Sequence, residues 1–214
     1  MFDEYVIDKE NQLKDSLLSI INNEQILIKL EKLIDVNNIS NDLSMREINS
    51  LIMNTISNYI PEFIGGSADT VSSTKTYLKE KGDFSSKNYA GKNIFYGIRE
   101  HAMASSTNGI ALSNLRPFAS TFLTFADYMK PSIRLSALMN IPSTFIFTHD
   151  SINIGQDGPT HQPIEQLGML RSIPNFTLYR PCDKKELIGC WNLILEQSKP
   201  CALIISRNKS KEIK

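Results

Sequence analysis

The sequence is short of cysteine, with three in 214 residues. Cys182, Cys190 and Cys201 are odd in number and show no CxxC spacing, which argues against a disulfide framework or a zinc site. They are expected to be reduced and structural, with at least one in the core. Histidine is as sparse: His101, His149 and His161 lack the i, i+4 spacing of a helical metal site, so no metal site built by this chain alone is expected. No apolar run approaches the roughly 18 residues a membrane helix needs. The N-terminus, MFDEYVIDKE, has no basic n-region, and its acids argue against a transit peptide, so the expected location is the cytoplasm, with no membrane partner. Net charge is missing too: Lys plus Arg equal Asp plus Glu at 23 each, which leaves no basic field to gather nucleic acid.

What is present is 41% hydrophobic content, enough to bury a core in one large domain or one domain plus a helical extension. Residues 8–36 carry apolar positions that fit one or two helices broken near Asn22 and Asn23, so residues 1–43 read as a helical arm or linker and 44–214 as the domain. Ser44 with Glu47 forms a capping-box pattern opening a helix that Pro61 ends, and Asp183 with Glu186 repeats the pattern. Helices are also expected around 101–112 and 124–139. Short β-branched or aromatic runs at 62–64, 94–96, 118–121, 143–148, 176–180 and 202–206 read as buried strands.

Strands alternating with helices imply an α/β fold whose parallel sheet is covered by helices on both faces. Ligands of such sheets bind in loops at the carboxyl ends of strands. GGSAD, GIREH and THDSINIGQDGPTHQP each follow an expected strand. The stretch NYAGKN at 88–93 fails as a phosphate loop, because Ser86 stands where the first glycine belongs and Asn93 where Ser or Thr belongs.

The loop from Thr148 to Pro163 gathers two histidines and two aspartates with Gly155, Gly158 and Pro159, directly after a strand. It can turn His149 and His161 toward one cleft, where imidazoles donate or accept protons near neutral pH. Glu100 sits where the chain leaves a strand and enters a helix. By position alone it is a first-turn acid that complements the helix dipole.

Taken in order, GGSAD (65–69), YGIREHAM (96–103), STFLTFADY (120–128), RLSALMNIP (134–142), THDSINIGQDGPTHQPIE (148–165) and RPCDKKE (180–186) resemble the pyrimidine-binding domain of transketolase over residues 44–208. The related deoxyxylulose-phosphate synthases read AEQHA and DGQTHQ where this sequence has IREHA and DGPTHQ. The resemblance implies a thiamine diphosphate-binding fold, pyrimidine module, and ketol transfer from a ketose phosphate to an aldose phosphate.

It also implies roles. Glu100 matches the carboxylate that hydrogen-bonds the aminopyrimidine and shifts it toward its imino form, with a pKa that burial would raise. Phe122, Phe125 and Tyr128 match the aromatic pocket, and their i, i+3, i+6 spacing is expected to set them along one helical side, where an ordinary core stripe is the competing reading. Asp69 matches the acid near the thiazolium and diphosphate. His149, Asp157 and His161 match residues that contact sugar hydroxyls and move protons, and Arg46, Ser73, His149 and Arg207 those that hold substrate phosphate, arginine being suited by its planar fork. Asn153 and Gln156 depart from the family's Gly and Glu; Asn tolerates the left-handed backbone a Gly can supply, so the loop is still expected to form.

The family's cofactor is shared between this module and a diphosphate-binding domain of another subunit, which holds Mg2+ or Ca2+ through a GDG motif. GDF at 82–84 is no substitute. The implied partners are therefore sugar phosphates and a diphosphate-binding domain or chain in a dimeric assembly. A non-catalytic remnant that keeps the fold, and an α/β binding module without thiamine, are the alternatives.

Overall fold

Side chains of the central strands alternate between two apolar layers. The computed structural model describes residues 30–209. Its strands are β1 (Phe63–Ser67), β2 (Asn93–Phe95), β3 (Arg116–Phe122), β4 (Thr144–Thr148), β5 (Thr177–Tyr179) and β6 (Cys201–Ile204). All pair in parallel, in the order β2-β1-β3-β4-β6-β5. All six expected strands are present, with shifted ends. The helices are α1 (Leu30–Leu33), α2 (Met45–Tyr59), α3 (Val71–Thr74), α4 (Glu100–Ala111), α5 (Ala126–Met139), α6 (Gln166–Arg171) and α7 (Lys184–Glu196).

Phe118, Ile146, Cys201, Leu203 and Ile205 pack with Ile48, Ile52 and Ile56 of α2 and Leu187, Trp191 and Ile194 of α7. Their neighbours Ala119, Phe145, Phe147, Ala202 and Ile204 pack instead with Met103 of α4 and Met129 and Ile133 of α5. This period of two puts one core on each face of the sheet. Each large side chain removed from water contributes roughly 1.5–3 kcal/mol. Trp191, fully buried, satisfies its indole N–H on Asn49 Oδ1 at 2.7 Å. Cys201 is in the core, Cys190 half-buried and Cys182 exposed.

The first glycine cluster corrects one expectation. Gly65, Gly66 and Ser67 do not follow β1 but form its carboxyl half. A Cβ on Gly66 would lie 1.7 Å from the Ile94 carbonyl oxygen, and one on Gly65 would lie 2.1 Å from that of Phe118. Only glycine lets the neighbouring strands approach this closely.

The Ser44 cap forms as the sequence implies: the Glu47 carboxylate accepts from the Ser44 N–H at 2.9 Å and its hydroxyl at 2.7 Å. At α7, Asp183 accepts from the Glu186 N–H at 2.9 Å, while Glu186 accepts from the Cys182 N–H at 2.7 Å. Most of the expected arm at 1–43 lies outside the described residues. Its described end lies on α7, where the Leu30 N–H donates to Asn192 Oδ1 at 3.0 Å and Lys184 Nζ donates to the Ile39 carbonyl at 2.9 Å. Among the described residues no helix is long and apolar enough to cross a membrane.

Candidate active site

Because every strand runs the same way, residues after β1, β3, β4 and β6 converge on one edge. The chain leaves β1 for β2 on one side and later returns to β3 on the other, so β1 and β3 flank a switch point, where parallel sheets leave a crevice. Asp69 follows β1, Phe122 ends β3, His149 follows β4 and Arg207 lies just past β6. Helices α4 and α5 lead into β3 and β4 and run antiparallel to them. Their N-termini, with Glu100 and Phe125, therefore open onto the same edge.

A ring stack forms the floor. The Phe122 ring centroid lies 3.8 Å from that of His149, 5.8 Å from Phe125 in a stacked pair, and 6.0 Å from His161. Phe125 meets His161 edge-on at 5.3 Å and Tyr128 at 6.2 Å. The two imidazoles of the loop therefore face one aromatic cluster. The expected stripe along one helix is not how this is built: Phe122 is the last strand residue, Phe125 closes a 3-10 turn (Leu123–Phe125) and caps α5, and Tyr128 alone of the three lies within an α-helix. A strand-to-helix corner brings the rings together, and the three-residue spacing is incidental.

His149 is 2% exposed and has φ +58°, a left-handed backbone that only a few per cent of non-glycine residues adopt, histidine among the more frequent. Its Nδ1 shares a hydrogen bond of 2.8 Å with Thr148 Oγ1. Burial, and then the charges of Arg46 and Arg207, hold its pKa down at about 4, so the imidazole is neutral at pH 7. His161 is half-buried, with Nδ1 2.9 Å from Thr160 Oγ1.

Two cations border His149. Arg207 donates from Nη1 to the Ile154 carbonyl and pairs with Asp157 Oδ2 at 3.1 Å. Arg46, in the first turn of α2, donates from Nη1 to the Ser73 carbonyl at 2.7 Å, while its Nε is buried with no hydrogen-bond partner among the described residues. Burial and Arg207 lower its pKa. Five residues expected to meet substrate, Arg46, Ser73, His149, Asp157 and Arg207, are thus linked by contacts or by mutual charge. Within the loop the left-handed glycines are Gly155 and Gly158. Asn153 stays outside that region, so its tolerance of a left-handed backbone is not called on, and its carbonyl accepts from Asn208 Nδ2 at 3.3 Å. Gln156 is exposed.

Glu100 is the first residue of α4 and is half-buried, and Asp69 is exposed with φ +58°. Both stand on the edge that the ring stack occupies, Asp69 after β1 and Glu100 at the start of α4. Thr148, Asp150 and Arg180 were not singled out as site residues in the sequence. Thr148 orients His149, and Arg180 donates to Asp150 at 3.0 and 3.1 Å. The only signal for Arg180 is its place in RPCDKKE, directly after a strand.

Six parallel strands with helices on both faces, carrying rings and imidazoles at the carboxyl edge, define an α/β domain of the thiamine diphosphate-binding, pyrimidine-module class. The family described as "Transketolase, pyrimidine binding domain" matches residues 41–212. Transketolase of Bacillus subtilis (strain 168) is 47% identical over 167 residues, 77% of this chain and 25% of that protein. Transketolase of Aquifex aeolicus (strain VF5) is 43% identical over 208 residues, 96% of this chain and 30% of that protein. The crystal structure of transketolase from Campylobacter jejuni superposes with TM-score 0.84 and 42% identity, covering 94% of this chain and 30% of that one. The chain belongs to the transketolase pyrimidine-binding domain family. It spans 25–30% of the length of these relatives.

Proposed function

We propose that this domain forms the pyrimidine-side wall of a thiamine diphosphate site that transfers a two-carbon ketol unit from a ketose phosphate to an aldose phosphate. The observation that carries this reading is the convergence of His149 and His161 on the Phe122 ring beside Arg46 and Arg207.

The residues present fit one half of the cofactor. Phe122, Phe125 and Tyr128 offer flat apolar faces to a heteroaromatic ring, and Glu100 offers a half-buried carboxyl to its nitrogens. The other half needs a metal-bound diphosphate, and among the described residues no group of three or more His, Cys, Asp or Glu could hold a metal ion. In this reading, which follows the family resemblance, Mg2+ or Ca2+ and the diphosphate are held by a second domain, in the same longer protein or in another chain of a dimeric assembly. Exposed apolar side chains at the rim, Ile98 at 80% and Tyr128 at 63%, support a second wall.

Thiamine diphosphate, when bound, supplies the nucleophilic ring carbon and electron sink for carbon–carbon cleavage. Glu100 holds the proton exchanged with the aminopyrimidine nitrogen. Asp69 borders the thiazolium end. His149, neutral at pH 7, donates or accepts a hydrogen bond at Nε2 with a sugar hydroxyl, because Nδ1 is engaged by Thr148. His161 and Asp157 meet neighbouring hydroxyls. Arg46 and Arg207 bind the substrate phosphate with Ser73. The setting is the cytoplasm and the reaction is of the pentose phosphate type.

The test is reconstitution. Ketol transfer is measured for this chain, for a diphosphate-binding domain, and for their mixture, each with thiamine diphosphate and Mg2+. Activity in the mixture alone supports the reading, and inactivity of a mixture that forms a complex and binds cofactor contradicts it.

A further inference from the structure

We propose that Arg180 is a positioning residue for the His149 imidazole and acts through Asp150. The proposal rests on the role given to His149 above.

Arg180 directly follows β5, which among the described residues is an edge strand paired with β6. Its guanidinium nevertheless reaches across β6 to the loop that follows β4. Nε and Nη2 both donate to Asp150 Oδ2, at 3.1 and 3.0 Å. The Asp150 side chain is sheltered at 9% exposure, while that of Arg180 is 42% exposed. Two donors set on one oxygen fix a direction, which a single point charge does not.

The direction matters because Asp150 is the next residue after His149. At φ +58° His149 is held in a region that a free loop leaves readily. Relaxation to negative φ would swing the ring away from Phe122. From the N-terminal side His149 is held by Thr148 Oγ1. The other tethers of the loop lie further along. Gln162 Nε2 donates to the Ile152 carbonyl at 3.2 Å, Asn208 reaches Asn153, Arg207 reaches Ile154 and Asp157, and Thr124 reaches Thr160. Asp150 is the first anchor on the C-terminal side, and Arg180 is what fixes it. If the pair were only a half-exposed ion pair, its loss would cost little and leave His149 unaffected. The charged groups facing His149 are Arg46 of α2, Arg207 after β6, and Asp157 and His161 of its own loop. A change at Arg180 leaves all four in the sequence, so a change in His149 reports its position.

The experiment is histidine-ring NMR on the full chain, whose three histidines give three ring signals assigned through His101→Gln and His161→Gln. In the parent the His149 signal is expected to be displaced by the Phe122 ring and to titrate only below about pH 5, as a pKa of about 4 implies. Arg180→Met and Asp150→Asn are expected to reduce that displacement and raise the midpoint by about one unit or more toward the ordinary histidine value. Arg180→Lys, which keeps the charge without the fork, falls between and decides the matter if Arg180→Met does not fold. An unchanged His149 signal and midpoint in folded variants overturns the proposal. The measurement needs no partner or substrate, so failed ketol transfer in reconstitution would sink the functional reading and leave this result standing.

Discussion

The imidazole of His149 lies against the ring of Phe122, centroids 3.8 Å apart and planes tilted by 34°. A group suited to proton traffic is therefore also part of a packed wall. Burial and the two neighbouring arginines keep it neutral, so at pH 7 it acts as a hydrogen-bonding imidazole and not as a cation.

Stability should fall in acid for this reason. The unfolded chain binds a proton at His149 near pH 6.5 and the folded chain near pH 4, so stability is full above about pH 6.5 and is lost as pH falls toward 4. The contribution is at most about 3 kcal/mol. Urea unfolding at several pH values checks it, and His149→Gln should flatten the slope in that window.

Phosphate should reverse part of the shift. An anion held between Arg46 and Arg207 offsets the charges that depress His149, so inorganic phosphate should raise its NMR midpoint. Arg207→Met should abolish the phosphate effect. In the reconstituted enzyme it should raise KM for a sugar phosphate by roughly 10- to 100-fold with a smaller effect on kcat, as expected for loss of a charge-assisted contact of about 1.5–3 kcal/mol.

Gly66→Ala should disrupt the sheet. The added methyl would sit 1.7 Å from a backbone oxygen of β2, and backbone cannot give way as a side-chain tip can. A loss on the order of 3 kcal/mol or more is expected, read as a lowered unfolding midpoint. Gly168→Ala, with nothing within 4 Å of the new carbon, is the matched control and should change stability little.

Much of the architecture is written in local chemistry. Alternation through Phe145, Ile146 and Phe147 marks a strand buried on both faces, and Ser44 with Glu47 marks a helix start, because both signals act within a few residues. The clustering of His149 and His161 is likewise legible in one short loop. What local chemistry does not carry is close approach between strands. GGS reads as a turn, yet it is strand because Ile94 and Phe118 lie too near for a Cβ. Nor does periodicity reveal that Phe122 and Phe125 bracket a strand-to-helix corner. The burial of His149 and the reach of Arg180 over β6 come from topology, which brings together residues about 30 apart in sequence.

Glu100 bears most directly on the central claim, since it is the carboxyl assigned to the cofactor ring. The decisive measurement is the ketol-transfer rate of the reconstituted mixture with Glu100 intact and with Glu100→Gln. A fall in kcat of about 100-fold or more is predicted, in line with loss of a proton-transfer group. An undiminished rate in the variant would contradict the account.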